Sequence, residues 1–503
     1  MDSKRLAELQ AERGAKGVDS DVIEKDYETV LNECRRYIQE RSEKFRDMSD
    51  TKKKENVQGL VVSYVMSLKI LVQGYTTEDN KLDTSALINS LLDAITNYDI
   101  LTGAMLDPDV FEIRANRRDI IVEKKGRSQI LRDENGNAVR FTSPEQMDIV
   151  MRKLLGDVRL TPKDALVNAR TIEGYRVAAI HPSALSPDPN DPTEDGYSAF
   201  VLRKFKKDKM ELGDIVKKGT LSDDMARLCA ILTNGGLSFV TVGPTASGKT
   251  TTNNAILMTA PDNIRLVILQ NPSEIDARKR DAAGNVRNDV LHMEVKEMEN
   301  PIPTSPTMEN GMNHVLRLSP TIVSVGEARA NGEFKKLVTI AQAGHPFNAS
   351  YHAESVTGAV IRMLTAYLAE SGNEPADLAL GTICNCLNVV IVQKIMRDGI
   401  RRVIQIGEVI GPDPNNKTVP LINMLYEFKI TGEPEYDEYG NVKLIKGKHV
   451  RVGKLSEKTI NKLQLEGIAK RRFDFLLKDV DEANEIQEYT GEDIVGYHMR
   501  EEV

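Results

Sequence analysis

The segment that most limits what this chain can fold into is Gly243-Pro-Thr-Ala-Ser-Gly248-Lys249-Thr250, set between the apolar run at 237–242 and Thr-Thr-Asn-Asn-Ala-Ile-Leu at 251–257. An apolar strand, a glycine-bearing turn and a helix start, in that order, make a phosphate-binding loop, because backbone N–H groups and the positive end of the helix dipole converge on one point. Gly243 and Gly248 let the backbone turn its N–H groups inward with no Cβ in the way. Lys249 supplies a charge for the β- and γ-phosphates and the Thr250 hydroxyl a ligand for Mg2+. Pro244, Thr245, Ala246, Ser247 and Thr251 complete the stretch that would touch the nucleotide. The competing reading is a Gly-Lys turn that binds nothing; the flanking strand and helix patterns favour a nucleoside triphosphate.

The chain of 503 residues is too long for one ordinary domain, and its length predicts roughly three. A net charge of -8 does not describe a general nucleic-acid binder, although a local basic groove stays open. The four cysteines, Cys34, Cys229, Cys384 and Cys386, form no CxxC pair and read as buried free thiols of a reducing compartment rather than a metal site. No stretch approaches the ~20 apolar residues of a membrane span, and the first residues lack the apolar core of a signal peptide. These features predict a cytoplasmic protein that meets a membrane through partners.

Residues 1–78 are charge-dense, with apolar positions at helical spacing from Val22 to Ile38 and again over 57–72, an N-cap at Asp19 or Ser20, and a solvated lysine run at Lys52, Lys53 and Lys54. They read as a helical N-terminal appendage. Over 79–208 the pattern changes to a helix at 85–97, short strands such as 111–115 and 119–123, a helix over 144–155, and an exposed loop at 186–196, which makes a small α+β domain. The basic residues Arg203, Lys204, Lys206, Lys207 and Lys209 lead into a linker at 209–219. Over 220–412, strands at 237–242, 265–270, 321–325, 346–351 and 387–392 alternate with helices, so the α/β pattern predicts a RecA-like domain with a mostly parallel sheet. The segment 277–311 reads as a long polar loop with a hairpin in its middle. Residues 413–503 read as a C-terminal appendage of a strand pair, 421–430 with 442–452, and helices.

A phosphate loop alone does not separate motors from kinases or switches; a second acidic element does. Pro320-Thr-Ile-Val-Ser-Val-Gly326-Glu327-Ala-Arg329 is an apolar strand that ends in a carboxylate, suited to hold a magnesium-bound or attacking water beside the γ-phosphate. Leu269-Gln270-Asn271-Pro272-Ser273-Glu274 ends another strand in a carboxylate, a candidate general base. His345 and His352 are seven residues apart around a strand, and odd spacing puts them on opposite faces, against a shared metal.

In this order the elements resemble the secretion (traffic) ATPases of the type II and type IV secretion superfamily, most closely the CpaF-like Tad-pilus branch and its conjugation relatives, over roughly residues 85 to 430. The stretches 269–274, 322–327 and 344–352 are similar to that family's Asp box, Walker B strand and His box. Asp107-Pro-Asp-Val-Phe-Glu-Ile-Arg-Ala-Asn, Gly174-Tyr-Arg176-Val177 and Leu202-Arg203-Lys-Phe205 resemble its N-terminal domain, whose arginines help contact nucleotide between domains. The resemblance therefore implies that Arg203 and Arg176 sense phosphate, against the alternative of structural ion pairs. It implies an ATP- and Mg2+-dependent ATPase that assembles as a homo-oligomer, a hexameric ring, on inner-membrane platform proteins to drive pilus assembly or conjugative secretion. In it Lys249 and Thr250 hold triphosphate and metal, Glu327 orients the metal–water shell and Glu274 the attacking water.

The chain departs from the family at Gln270-Asn271, where Glu-Asp is usual, and at Thr321, where Asp is usual. The first departure implies slow turnover or reliance on Glu274 and Glu327 alone. Two other classes stay open, a RecA-like nucleic-acid motor and a weakly hydrolysing structural ring.

Overall fold

The computed structural model describes residues 24–480 apart from 40, 42–49, 78, 80, 125–126, 157, 188–190, 192–193, 205–209, 272–273, 296–306 and 330. The expected N-cap at Asp19 or Ser20, Val22, Ile23, Lys206, Lys207, Lys209 and the stretch from 481 lie outside the described residues, as do the side chains of Lys52, Lys53 and Lys54. Its contacts divide the chain into two units, Met1–Lys207 and Asp208–Val503.

Among the described residues of the first unit, helices α1 (Tyr27–Gln39), α2 (Asp50–Ser67) and α3 (Thr84–Thr96) precede its main sheet. Each presents apolar residues four apart, Val30/Cys34/Ile38, Val57/Val61/Val65 and Leu87/Leu91/Ile95, and these stripes bury one another. The helix near 85–97, assigned from sequence to the α+β domain, thus packs with α1 and α2.

Six antiparallel strands follow: β1 (Val110–Asn116), β2 (Asp119–Lys124), β3 (Arg127–Ile130), β4 (Leu166–Arg170), β5 (Arg176–Ile180) and β6 (Ala199–Arg203), in the order β3-β2-β1-β6-β5-β4. Helix α4 (Pro144–Leu155) covers one face. Ser143 caps it by accepting from Gln146 N, Pro144 takes the first turn, and Met147, Val150, Met151 and Leu154 are buried. They share a core with Phe141 and Phe200.

The second unit is built on nine strands: β7 (Phe239–Val242), β8 (Leu266–Gln270), β9 (Val290–Glu294), β10 (Ile322–Val325), β11 (Phe347–Tyr351), β12 (Val389–Ile395), β13 (Arg401–Pro412), β14 (Pro420–Ile430) and β15 (Gly447–Arg451). Their order is β9-β8-β10-β11-β7-β12-β13-β14-β15. From β9 to β12 every neighbour is parallel, and the last three strands are antiparallel. The mostly parallel α/β sheet expected from the alternation is present.

Parallel strands are covered on both faces and therefore read as continuous apolar runs. Val240 and Val242 of β7 join one core with Val323, Val325, Phe347 and Tyr351. Phe239 joins the opposite core with Leu228, Leu232, Ile256 and Ile391. The helices on this sheet are α5 (Asp223–Asn234), α6 (Lys249–Leu257), α7 (Met308–Val315), α8 (Asn331–Gln342), α9 (Val356–Ser371), α10 (Ala376–Cys386) and α11 (Glu457–Leu465).

Two parts differ from expectation. The strands after 412 pair directly onto β13 and continue the same sheet, and Leu463 of α11 lies in one core with α5. An antiparallel pairing needs only a turn, so nothing in the backbone separates an appendage here. Within 277–311, a tight turn closed by the Arg280–Val286 bridge precedes β9, which adds a parallel edge strand beside β8.

Candidate functional site

Parallel strands deliver their carboxyl ends to one edge of the sheet, and adjacency decides which loops meet there. Because β8, β10, β11 and β7 are neighbours in that order, the strand ends at Gln270, Glu327 and His352 lie along the same edge as the 243–248 loop.

That loop has the backbone a phosphate cradle requires. Gly243 has φ 153, Ala246 φ 63 and Gly248 φ 94, and Gly248 is the N-cap of α6. A Cβ on Gly243 would stand 1.9 Å from the carbonyl oxygen of Gln393, so no other residue fits. Lys249 is buried, and its Nζ donates to Gly243 O at 3.0 Å and Pro244 O at 2.9 Å. Ser247 is fully buried and its hydroxyl has no hydrogen-bond partner among the described residues. Pro244, Thr245 and Ala246 are exposed, and Thr250 and Thr251 half-buried on the first turn of α6. An orphaned hydroxyl, an ammonium resting on carbonyls and a glycine with no space for a Cβ together suit the polyphosphate of a nucleotide. Among the described residues no group of three or more His, Cys, Asp or Glu is placed to hold a metal. Thr250 and Glu327 remain the residues expected from sequence to meet a Mg2+ that a nucleotide would carry.

Glu327 follows β10. Arg329 grips its Oε2 through Nε at 2.6 Å and Nη2 at 2.5 Å, and His352 Nε2 stands 3.3 Å from Oε1. The other ring nitrogen, Nδ1, donates to Gly243 O at 3.0 Å, since a carbonyl can only accept. His352 thus bridges the acidic strand end and the phosphate loop.

Glu274 is exposed at the end of β8, its N–H held by Gln270 Oε1 at 2.9 Å. Gln270 is buried and also accepts from Ile275 N at 2.7 Å while its Nε2 donates to Ile275 O at 2.8 Å. A glutamate could accept but not donate, so an amide belongs where the resemblance led one to expect a carboxylate. Thr321 has a structural task too: its Oγ1 accepts from Arg265 N and its own N donates to Arg265 O, latching the starts of β8 and β10.

His345 is not brought to this edge. It precedes β11, about 20 Å from His352 by the rise of an extended strand, and lines a cavity of about 400 Å³ with Thr233, Thr321, Cys386, Lys462 and Glu466. Arg203 and Arg176 lie in the first unit, opposite each other on β6 and β5, with Arg170 next in the same row. Arg203 donates to Glu112 Oε2 from Nε at 3.1 Å and Nη2 at 2.9 Å, a real ion pair at a half-exposed position. The four cysteines are free and buried, and burial pushes Cys34 and Cys229 up to about 12 and Cys384 up to about 11.

Gln393 and Arg401 touch the phosphate loop and were not singled out from sequence. Gln393 Oε1 is buried without a partner among the described residues, and Arg401 Nε donates to Ala246 O at 2.9 Å. The one sequence signal was a lone glutamine in the apolar run of β12.

The model of the family described as type II/IV secretion system protein matches residues 104–414. The uncharacterized protein MJ0900 of Methanocaldococcus jannaschii is 26% identical over 249 residues, 49% of this chain and 40% of that protein. The probable conjugal transfer protein TrbB of Sinorhizobium fredii is 29% identical over 216 residues, 41% of this chain and 60% of that protein. The chain thus spans 40% to 60% of the length of these two curated relatives. The X-ray structure of the Legionella pneumophila ATPase DotB is similar with 20% identity and a TM-score of 0.44, covering 63% of this chain and 81% of that one.

Proposed function

This chain belongs to the type II/IV secretion system protein family, and from that premise we propose that it is an ATP hydrolase that forms a homo-oligomeric ring, a hexamer, and powers pilus assembly or conjugative secretion from the cytoplasmic side of a membrane platform. The observation that carries the reading is the contact chain Lys249–Gly243–His352–Glu327–Arg329 at the carboxyl edge of a parallel sheet. Bound ATP would supply the phosphoryl group and its Mg2+ the charge that steadies it. Lys249 leaves the loop carbonyls to meet the β- and γ-phosphates, and the amides of 245–250 receive the remaining oxygens. Glu327, fixed by Arg329 and His352, orients water on the γ-phosphate side, and Glu274 is the second carboxylate available to an attacking water. Arg203 and Arg176 are proposed as the phosphate-sensing row of the first unit; Glu112 beside Arg203 supplies the partner that holds the guanidinium when no phosphate is present.

The relatives' names, a conjugal transfer protein and a type II secretion system protein, support secretion and conjugation as the setting; the inner-membrane platform is this proposal's own partner. No helix among the described residues is long and apolar enough to cross a membrane. The Gln270-Asn271 departure, which implied slow turnover and so a weakly hydrolysing ring, loses part of its force because Gln270 is a structural staple.

The test is ATP turnover against protein concentration, with Lys249→Ala as control. Specific activity that climbs as rings assemble supports the motor; constant activity in a monomer, or turnover that survives Lys249→Ala, refutes it. Turnover that responds to DNA with steep salt dependence would instead favour the nucleic-acid motor.

A further inference from the structure

Three carbonyls of the phosphate loop are capped by side chains. Gly243 O accepts from Lys249 Nζ and His352 Nδ1, Pro244 O from Lys249 Nζ, and Ala246 O from Arg401 Nε at 2.9 Å. With these carbonyls engaged, the loop amides other than that of Ser247, which donates to Pro244 O at 3.4 Å, are left to face an anion. Lys249 cannot keep its two contacts once a polyphosphate arrives, because the same ammonium is the group that meets the phosphates. The cap on Ala246 involves no such conflict and can stay.

Arg401 reaches the loop from a rigid mount. It begins β13, just after the turn that joins β12 to β13, and Asp398 and Arg402 close that turn with a bidentate ion pair at 2.9 and 2.8 Å. The pair is buried, with side-chain exposures of 0% for Asp398 and 6% for Arg402. Ile400 N and Ile445 N also donate to the Asp398 carboxylate. A buried pair whose remaining lone pairs are met by backbone donors permits one geometry. Gln393, on the neighbouring strand, supports the same loop: a Cβ on Gly248 would stand 3.0 Å from both Gln393 Nε2 and Arg401 Cδ. The loop therefore lies against this hairpin at both of its glycines. Between them, Ala246 holds a left-handed backbone that a non-glycine residue rarely adopts, and Arg401 binds its carbonyl.

We propose that Arg401 is a positioning residue that keeps the phosphate loop in its anion-receiving shape, through Ala246 O, while Lys249 moves from the loop carbonyls to the phosphates. This rests on the nucleotide reading of the site and adds what holds the loop open. The ligand class that feels Arg401 is any pyrophosphate group, with or without a nucleoside. Pre-ordering the loop raises affinity because the ligand need not order it.

The experiment titrates the full chain with inorganic pyrophosphate and with ADP. Arg401→Ala should weaken both by the same factor, roughly fivefold to tenfold, as loss of one solvent-exposed hydrogen bond implies. Arg401→Lys should recover part of the loss, since an ammonium can reach the carbonyl without the fixed plane of a guanidinium. In turnover assays the KM for ATP should rise by more than kcat falls, and the melting temperature of the nucleotide-free protein should barely move. A merely structural role would do the reverse, lowering that melting temperature and sparing pyrophosphate affinity. Weakened ADP with unchanged pyrophosphate would mean direct contact with the nucleoside and overturns the proposal, as would no change in either. Wild-type protein that binds neither ligand overturns the nucleotide reading beneath it, and that is visible before any variant is made.

Discussion

The two ends of β11 carry the same residue type in opposite settings. At its carboxyl end His352 joins Gly243 O to Glu327; at its amino end His345 lines a cavity with Thr321, Cys386, Lys462 and Glu466. The difference follows from the polarity of a parallel sheet. Helix α6 begins at the carboxyl edge, so its positive end meets the phosphate loop, whereas α5, α8 and α10 finish near the His345 cavity, whose lining includes Asn234, Ala341 and Asn385. Helix N-termini favour anions and C-termini favour cations. Two histidines seven residues apart are thus placed at ends of opposite electrostatic character.

The largest effect expected at the carboxyl edge comes from Lys249→Ala, which should lower ATP turnover by at least about a hundredfold and weaken nucleotide binding, measured by phosphate release and by ADP titration. Retained binding would place the anion site away from the carboxyl edge. Glu327→Gln should cut kcat by roughly a hundredfold with nucleotide affinity kept, because the amide cannot orient water as a carboxylate does.

A third histidine sharpens the contrast through pH. His449 is half-buried on β15, its Nε2 donating to Val403 O, and the partial loss of solvent around the ring lowers its pKa to about 4. The unfolded chain binds this proton near pH 6.5 while the folded chain still refuses it, so the stabilisation is complete above that pH and is lost as pH falls toward about 4. The loss amounts to on the order of 3 kcal/mol, and His449→Gln should flatten that part of the stability profile in denaturant melts. An unchanged acid limb would show that the ring is not held neutral.

Gln270→Glu should destabilise by about 2 kcal/mol, because two acceptors would then face each other at Ile275 O; thermal melts check this, and an unchanged midpoint would remove the staple. The smallest effect belongs to the amino end: His345→Ala should alter turnover by less than about twofold. A collapse of activity there would join the two ends into one functional unit.

Much of this was legible in the chain. The phosphate loop announces itself because its glycines and lysine are dictated locally, and strands expected at 237–242, 265–270 and 346–351 form at Phe239–Val242, Leu266–Gln270 and Phe347–Tyr351. Apolar runs buried on both faces are hard to misplace. Arg401 was invisible, and Gln393 showed only as a lone glutamine in an apolar run, because each meets the loop from a strand more than a hundred residues later and nothing local in β12 or β13 says which loop their side chains will reach. β9 was missed because an edge strand is only partly buried, so Val290–Glu294 lacks the apolar run of its neighbours. Gln270 read as a lost carboxylate, since its bonds to Glu274 and Ile275 exist only once the loop folds back.

The amino-acid order by itself determined a phosphate loop between a strand and a helix, an α/β alternation around it, and acidic strand ends at Glu274 and Glu327, because short-range sterics and periodicity specify such features. Only the tertiary structure decided that His352 belongs with the loop and His345 does not, that Arg401 caps Ala246, and that strands beyond 412 extend the same sheet. Those outcomes depend on strand order and direction. Which strand lies beside which is settled by burial of both sheet faces at once, and no local stretch of residues carries that information.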